Sequence, residues 1–132
     1  MTLVQDIMTK DCYCMRAEQP LTEAILQMDQ RSISGGPVID PSGLVVGHLS
    51  RTGISRHLAR MTKTAGELLV ADVMENFAFQ VYPDDSVKSL LETMLASRIH
   101  RMIVTDEEGR PIGIVTSMDL MTHLYDLLRA QD

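Results

Sequence analysis

Displaced by 66 positions, the 132-residue sequence matches itself without a gap. Asp6 falls on Asp72, Met8 on Met74, Met28 on Met94, Ile33 on Ile99 and Val38 on Val104. Asp40 falls on Asp106, Gly43 on Gly109, Gly47 on Gly113, Ser50 on Thr116, and His57-Leu58 on His123-Leu124. Two copies of one unit therefore fill the chain, residues 1–66 and 67–132, with Lys63 to Gly66 as the link between them. Such a repeat constrains the fold more than any single motif, because whatever one copy builds the other must be able to build.

Each copy has the same order of elements. A short helical turn comes first, at Val4 to Met8 and at Val70 to Met74. A strand follows, near Tyr13 to Met15 and Ala78 to Val81. Leu21, Ala24, Ile25 and Met28 then recur at helical spacing, as do Val87, Leu90, Leu91, Met94 and Leu95 in the second copy. Pro37 to Ile39 and Met102 to Val104 read as strands, with turns at Asp40-Pro41-Ser42-Gly43 and Asp106-Glu107-Glu108-Gly109. Return strands run over Leu44 to Leu49 and Ile112 to Val115. The closing helices carry Ile54, Leu58 and Met61, and Leu120, Met121, Leu124, Leu127 and Leu128. The class is α/β in the α+β sense, two β-α-β-β-α units. About 60 residues is small for an independent core, so the two sheets are expected to be buried against each other.

The second copy ends on Gly113-Ile114-Val115-Thr116-Ser117-Met118-Asp119-Leu120, a strand entering a helix. Thr116 is a natural N-cap, and a helix N-terminus with a hydroxyl attracts anions. Asp119, one turn in, adds a carboxylate, and together they suit a ligand that carries both a phosphate and a sugar diol. The competing assignment is a capping box, in which Asp119 only closes the first turn.

Composition narrows the remaining classes. A net charge of −6 argues against broad nucleic-acid binding, and acidic side chains outnumber basic ones only in the second copy. No apolar run approaches a membrane span and no secretory leader is visible, so a cytoplasmic protein is expected. The only two cysteines, Cys12 and Cys14, are too close for a relaxed disulfide and lack the further ligands of a zinc site; reduced thiols are expected. Arg51, Arg56, Arg60 and Lys63 form a basic stripe, either solvated or a partner contact.

A tandem β-α-β-β-α unit opening on Asp-x-Met and closing on Gly-x-x-Thr-x-x-Asp resembles the cystathionine-β-synthase (CBS) domain. Asp6-Ile7-Met8-Thr9, Asp72-Val73-Met74, Ile33 to Asp40, Ile99 to Asp106 and Gly113 to Leu120 carry the resemblance, which spans essentially the whole chain. It implies a pair of units related by a pseudo-twofold axis, with clefts for an adenosyl ligand: AMP, ADP, ATP or S-adenosylmethionine. On that resemblance Asp119 holds the ribose hydroxyls and Thr116 meets the phosphate. His100 and Arg101 stand where a phosphate-facing basic pair is found, and Met8, Thr9 and Ile114 fall on the cleft lining. The first copy departs from the pattern, since Gly53 stands where the ribose aspartate should be, so that site is expected to lack ribose recognition. No catalytic constellation stands out. The resemblance implies a non-enzymatic sensor that requires no cofactor beyond its adenosyl ligand, forms a homodimer, and signals to a protein partner without nucleic acid or membrane. The alternative is a dimerisation or interaction module with vestigial clefts.

Overall fold

The computed structural model describes residues 1–132. In chain order it contains α1 (Val4–Ile7), β1 (Thr9–Lys10), β2 (Met15–Arg16), α2 (Leu21–Gln30), β3 (Gly35–Ile39), β4 (Val45–Ser50) and α3 (Arg51–Arg60). A single 3-10 turn, Ala65–Glu67, precedes α4 (Val70–Val73), β5 (Gln80–Val81), α5 (Val87–Ser97), β6 (Arg101–Thr105), β7 (Pro111–Thr116) and α6 (Ser117–Arg129). The mixed α/β class read from the sequence is the one observed.

The chain divides into two compact units, and they are offset from the sequence repeats. A central unit takes residues 13–78; a split unit takes residues 1–12 together with 79–132. The offset arises because the opening segment of each repeat hydrogen-bonds to the other repeat. Thr9 and Lys10 pair antiparallel with Ile114 and Gly113, while Val4 and Gln5 donate their N–H groups to the carbonyls of Asp85 and Pro83. In the same way Glu75 exchanges backbone hydrogen bonds with His48, at 2.9 and 3.0 Å. The repeats at 1–66 and 67–132 are units of sequence, and the compact bodies are what that exchange makes of them.

The central unit holds a sheet in the order β2-β3-β4, with β2 parallel to β3 and β3 antiparallel to β4. Met15, Leu21, Met28, Val38 and Leu49 are its fully buried centre. The split unit holds β1-β7-β6-β5, with Val4, Leu90, Val104 and Val115 at its core. The helical spacing read at Leu21, Ala24 and Met28 is the buried face of α2, and Val87, Leu90 and Met94 are that of α5. The strands expected at 13–15 and 78–81 form ladders only over Met15–Arg16 and Gln80–Val81. The expected linker is partly ordered: the Glu67 carboxylate accepts the Thr64 N–H at 3.0 Å and its hydroxyl at 3.1 Å.

The repeated motif residues explain one another. Asp6 and Asp72 close the short helices α1 and α4 by accepting the N–H of Leu3 and of Leu69, each at 2.8 Å. Met8 and Met74 lie over Gly113 and Gly47. A β-carbon on Gly113 would stand 2.9 Å from the Met8 sulfur and from the Thr9 carbonyl oxygen; one on Gly47 would stand 2.3 Å from the Glu75 carbonyl oxygen. The glycines are there because a second backbone crosses them too closely for any side chain.

Candidate functional site

Four of the residues singled out in the sequence share one face of the split unit's sheet. Thr9 on β1 is registered opposite Ile114 on β7, and Arg101 on β6 opposite Thr116 on β7. Side chains directly opposite in an antiparallel pair stand on the same face, as do those two apart along a strand. Thr9, Ile114, Thr116 and Arg101 therefore line one surface, and β7 runs straight into α6 to bring Asp119 to its edge. Thr9 is exposed, while Ile114, Thr116, Asp119 and Arg101 are half-buried. Burial holds the Arg101 guanidinium below its ordinary pKa. It stays cationic, and a partly desolvated cation attracts an anion more strongly than a solvated one.

Asp119 works as a cap. Its Oδ2 accepts the Thr116 N–H at 2.8 Å and the Thr116 hydroxyl at 3.1 Å. Its own N–H donates to Thr116 Oγ1 at 3.3 Å, which completes a reciprocal capping box. Its Oδ1 accepts the Thr9 hydroxyl at 3.2 Å. A carboxylate has about four lone-pair sites, so one site on Oδ1 is open and a second is gained by displacing the Thr9 hydroxyl. The helix N-terminus that the sequence offered as an anion site is largely filled, since the Thr116, Ser117 and Asp119 N–H groups all have acceptors. Thr116 also gives its only proton to Asp119. This face thus carries one half-buried cation, Arg101, and one carboxylate oxygen with acceptor capacity left, Oδ1 of Asp119.

Two expected site residues lie elsewhere. His100 lies in the bend just before β6, outside the strand that carries Arg101. The His100 ring sits 3.4 Å from the Ser117 hydroxyl and lines a groove between α5 and α6. Met8 packs its thioether over Gly113 and against the core. In the central unit, Ser50 caps α3 by accepting the Gly53 N–H at 3.0 Å, with no reciprocal partner on Gly53. His57 bonds the Gly53 carbonyl oxygen at 2.8 Å and so belongs to its own helix. Of the basic stripe, Arg51 pairs with Asp29 at 3.0 Å.

The groove between α5 and α6 was not anticipated. It encloses about 950 Å³ and is lined by Leu91, Leu95, Met121, Leu124 and Leu127 among others. None of the apolar residues of α6 is buried: Met121 is 59% exposed and Leu124 55%. The signal in the sequence was an excess. Leu120, Met121, Leu124, Leu127 and Leu128 cover more of a helix than one buried stripe needs. No helix of the protein is long and apolar enough to cross a membrane.

Comparison with known proteins gives a consistent picture. The model of the CBS domain matches residues 4–60 and 70–126. Inosine-5'-monophosphate dehydrogenase of Methanocaldococcus jannaschii is 29% identical over 116 residues, 88% of this chain and 22% of that protein. The chain spans less than a third of the length of the first curated relatives it matches. Among solved structures, a putative acetoin utilization protein (AcuB) from Vibrio cholerae superposes with a TM-score of 0.87 at 24% identity, covering 99% of this chain and 96% of that one. The CBS domain pair of protein MJ0100, in complex with 5'-methylthioadenosine and S-adenosyl-L-methionine, superposes with a TM-score of 0.82 at 28% identity, covering 93% and 99%.

Proposed function

The chain belongs to the CBS domain family, and from that premise we propose that it is a regulatory module that binds an adenosyl ligand and does not turn it over. The observation that carries this reading is that one sheet face holds both Arg101, opposite Thr116, and at its edge Asp119: a half-buried cation for an anionic group, and a carboxylate with acceptor capacity for a ribose diol. AMP, ADP and ATP offer Arg101 a phosphate; S-adenosylmethionine offers its own carboxylate. The 28% identical MJ0100 pair, which holds two adenosyl compounds, supports the same ligand class. We place the protein in the cytoplasm, where such metabolites are abundant, with neither nucleic acid nor membrane as its target.

Thermal melts with AMP, ATP, 5'-methylthioadenosine and S-adenosylmethionine, against their guanosine counterparts, test this. A ligand that binds only the folded state, present at 100 times its Kd, stabilises by about 2.7 kcal/mol. Adenosyl compounds are expected to raise Tm and guanosine compounds to leave it unchanged. Silence from every adenosyl compound refutes the reading, and release of phosphate from ATP refutes its non-catalytic part.

The exposed α5–α6 groove supports homodimerisation as a further property of the module. In the central unit Asp29 stands in place of Leu95 and Ser55 in place of Met121, so that helix pair is less apolar than α5 and α6. Closed twofold pairing through like faces is the usual solution for such a surface. Light scattering at micromolar concentration is expected to give a dimer mass, and Leu124→Asp a monomer. A parent monomer, or a dimer indifferent to Leu124→Asp, overturns it.

A further inference from the structure

Gly53 removes the one carboxylate that the central unit needs to copy the Asp119 site, yet the structure puts another carboxylate beside the gap. Glu75 occupies in the central unit the place that Thr9 occupies in the split unit. The two are 66 residues apart in sequence, and Glu75 bridges to His48 as Thr9 pairs with Ile114, His48 and Ile114 being likewise 66 apart. In the split unit the strand residue touches the helix residue, Thr9 donating to Asp119 at 3.2 Å. The same two positions meet in the central unit: Oε1 of Glu75 lies 3.8 Å from the point where a Gly53 β-carbon would be. Thr and Asp in one unit have become Glu and Gly in the other. Each pair supplies one carboxylate, from the helix residue in the first case and from the bridge residue in the second.

We propose that Glu75 is the ribose-diol acceptor of the central unit, so that this unit also takes an adenosyl ligand. The proposal rests on the adenosyl reading above and extends it to a second site on the same chain. The exchange is consistent sterically and electrically. Gly53 is buried in the first turn of α3 at ordinary helical backbone angles, so no turn geometry demands glycine there. An aspartate at 53 would press a second carboxylate against Glu75, where like charges oppose each other's ionisation. Without a side chain at 53, the longer Glu75 has room at the mouth of the site. Ser50 accepts the Gly53 N–H, and because no carboxylate follows at position 53, its own hydroxyl proton is not drawn into a capping box as that of Thr116 is. A carboxylate acceptor and a hydroxyl donor thus stand together at the start of α3.

Calorimetric titration with 5'-methylthioadenosine, which carries the diol and no phosphate, tests the assignment. The parent is expected to bind two molecules per chain and Asp119→Asn one. Adding Glu75→Gln to Asp119→Asn is expected to weaken the remaining event at least tenfold, the loss of one charge-assisted contact. Replacing the pair with that of the other unit, Gly53→Asp with Glu75→Thr, is expected to restore it. Circular-dichroism melts of the ligand-free variants separate lost binding from lost folding. If Asp119→Asn binds nothing while the parent binds one molecule, or if Glu75→Gln leaves the remaining event unchanged, the proposal is overturned. If the parent binds no adenosyl compound, the underlying reading falls with it; the two failures are therefore distinct.

Discussion

Replacing Asp119 with alanine should injure the protein in two separable ways. Oδ2 is committed to the backbone and hydroxyl of Thr116, and Oδ1 meets Thr9 and faces the proposed ligand. Losing the Oδ2 bonds removes a capping interaction, about 1 kcal/mol, and a negative charge from the positive end of a 13-residue helix, about 0.3–1 kcal/mol. Together these lower Tm of the ligand-free protein by about 4–8 °C for a chain of this length. Losing Oδ1 removes a charge-assisted acceptor from the diol, about 1.5–3 kcal/mol, and lowers affinity about ten- to hundredfold. Asp119→Asn separates the two effects. Its amide oxygen can still accept the Thr116 N–H, so much of the melting temperature should survive while affinity falls. The assays are ligand-free melts and titration with S-adenosylmethionine in a Glu75→Gln background, where the split unit alone reports. Unchanged Tm in the alanine variant refutes the capping role. Affinity within twofold of the parent in both variants refutes the ribose contact.

Gly47→Ala should be destabilising by about 1–3 kcal/mol in urea denaturation, because its β-carbon would stand 2.3 Å from a backbone oxygen that cannot move without breaking the Glu75–His48 bridge. Gly113→Ala, whose nearest contacts are 2.9 Å away and include the flexible Met8 sulfur, should be milder; the reverse order would show that the crossing backbones are not the constraint. Glu67 has its pKa held below 4.5 first by the Thr64 N–H and then by the Thr64 hydroxyl. Its folded-state value is therefore below the unfolded one, so its stabilisation is complete above pH 4.5 and is lost as pH falls through the depressed value. Glu67→Gln should differ from the parent at neutral pH and converge with it in acid; a gap that stays constant with pH would refute this.

The parts of the fold that were legible in the sequence are those written in apolar periodicity. α2 and α5 were visible because Leu21, Ala24 and Met28, and Val87, Leu90 and Met94, mark a buried stripe that no polar residue interrupts. β1 was not visible because two exposed residues, Thr9 and Lys10, carry no alternation, and their strand exists only through the partner at Ile114 and Gly113. The offset between repeats and compact units has the same origin: it depends on long-range hydrogen bonds that leave no mark on local composition. α6 was legible as a strongly apolar helix, but periodicity identifies an apolar face without saying what covers it.

The site was legible in the same uneven way. Asp119 and Thr116 were recognisable because capping and ligand recognition place the same residue types at the same spacing, which is also why the sequence could not choose between them. The structure shows the cap, with Oδ2 on Thr116 and Oδ1 on the Thr9 hydroxyl; the ribose contact is the proposed part. His100 was named with Arg101 as a basic pair on the resemblance, and the bend before β6 puts its ring beside Ser117 in the α5–α6 groove. Glu75 was passed over for a deeper reason. Aligning repeats one position at a time registers Gly53 as a loss and Glu75 as an unremarkable replacement of threonine. Only the contact between Thr9 and Asp119, residues 110 apart, shows that the two changes fall on one pair of touching positions. What the repeat must keep is a carboxylate at that point in space, and either side of the contact can provide it.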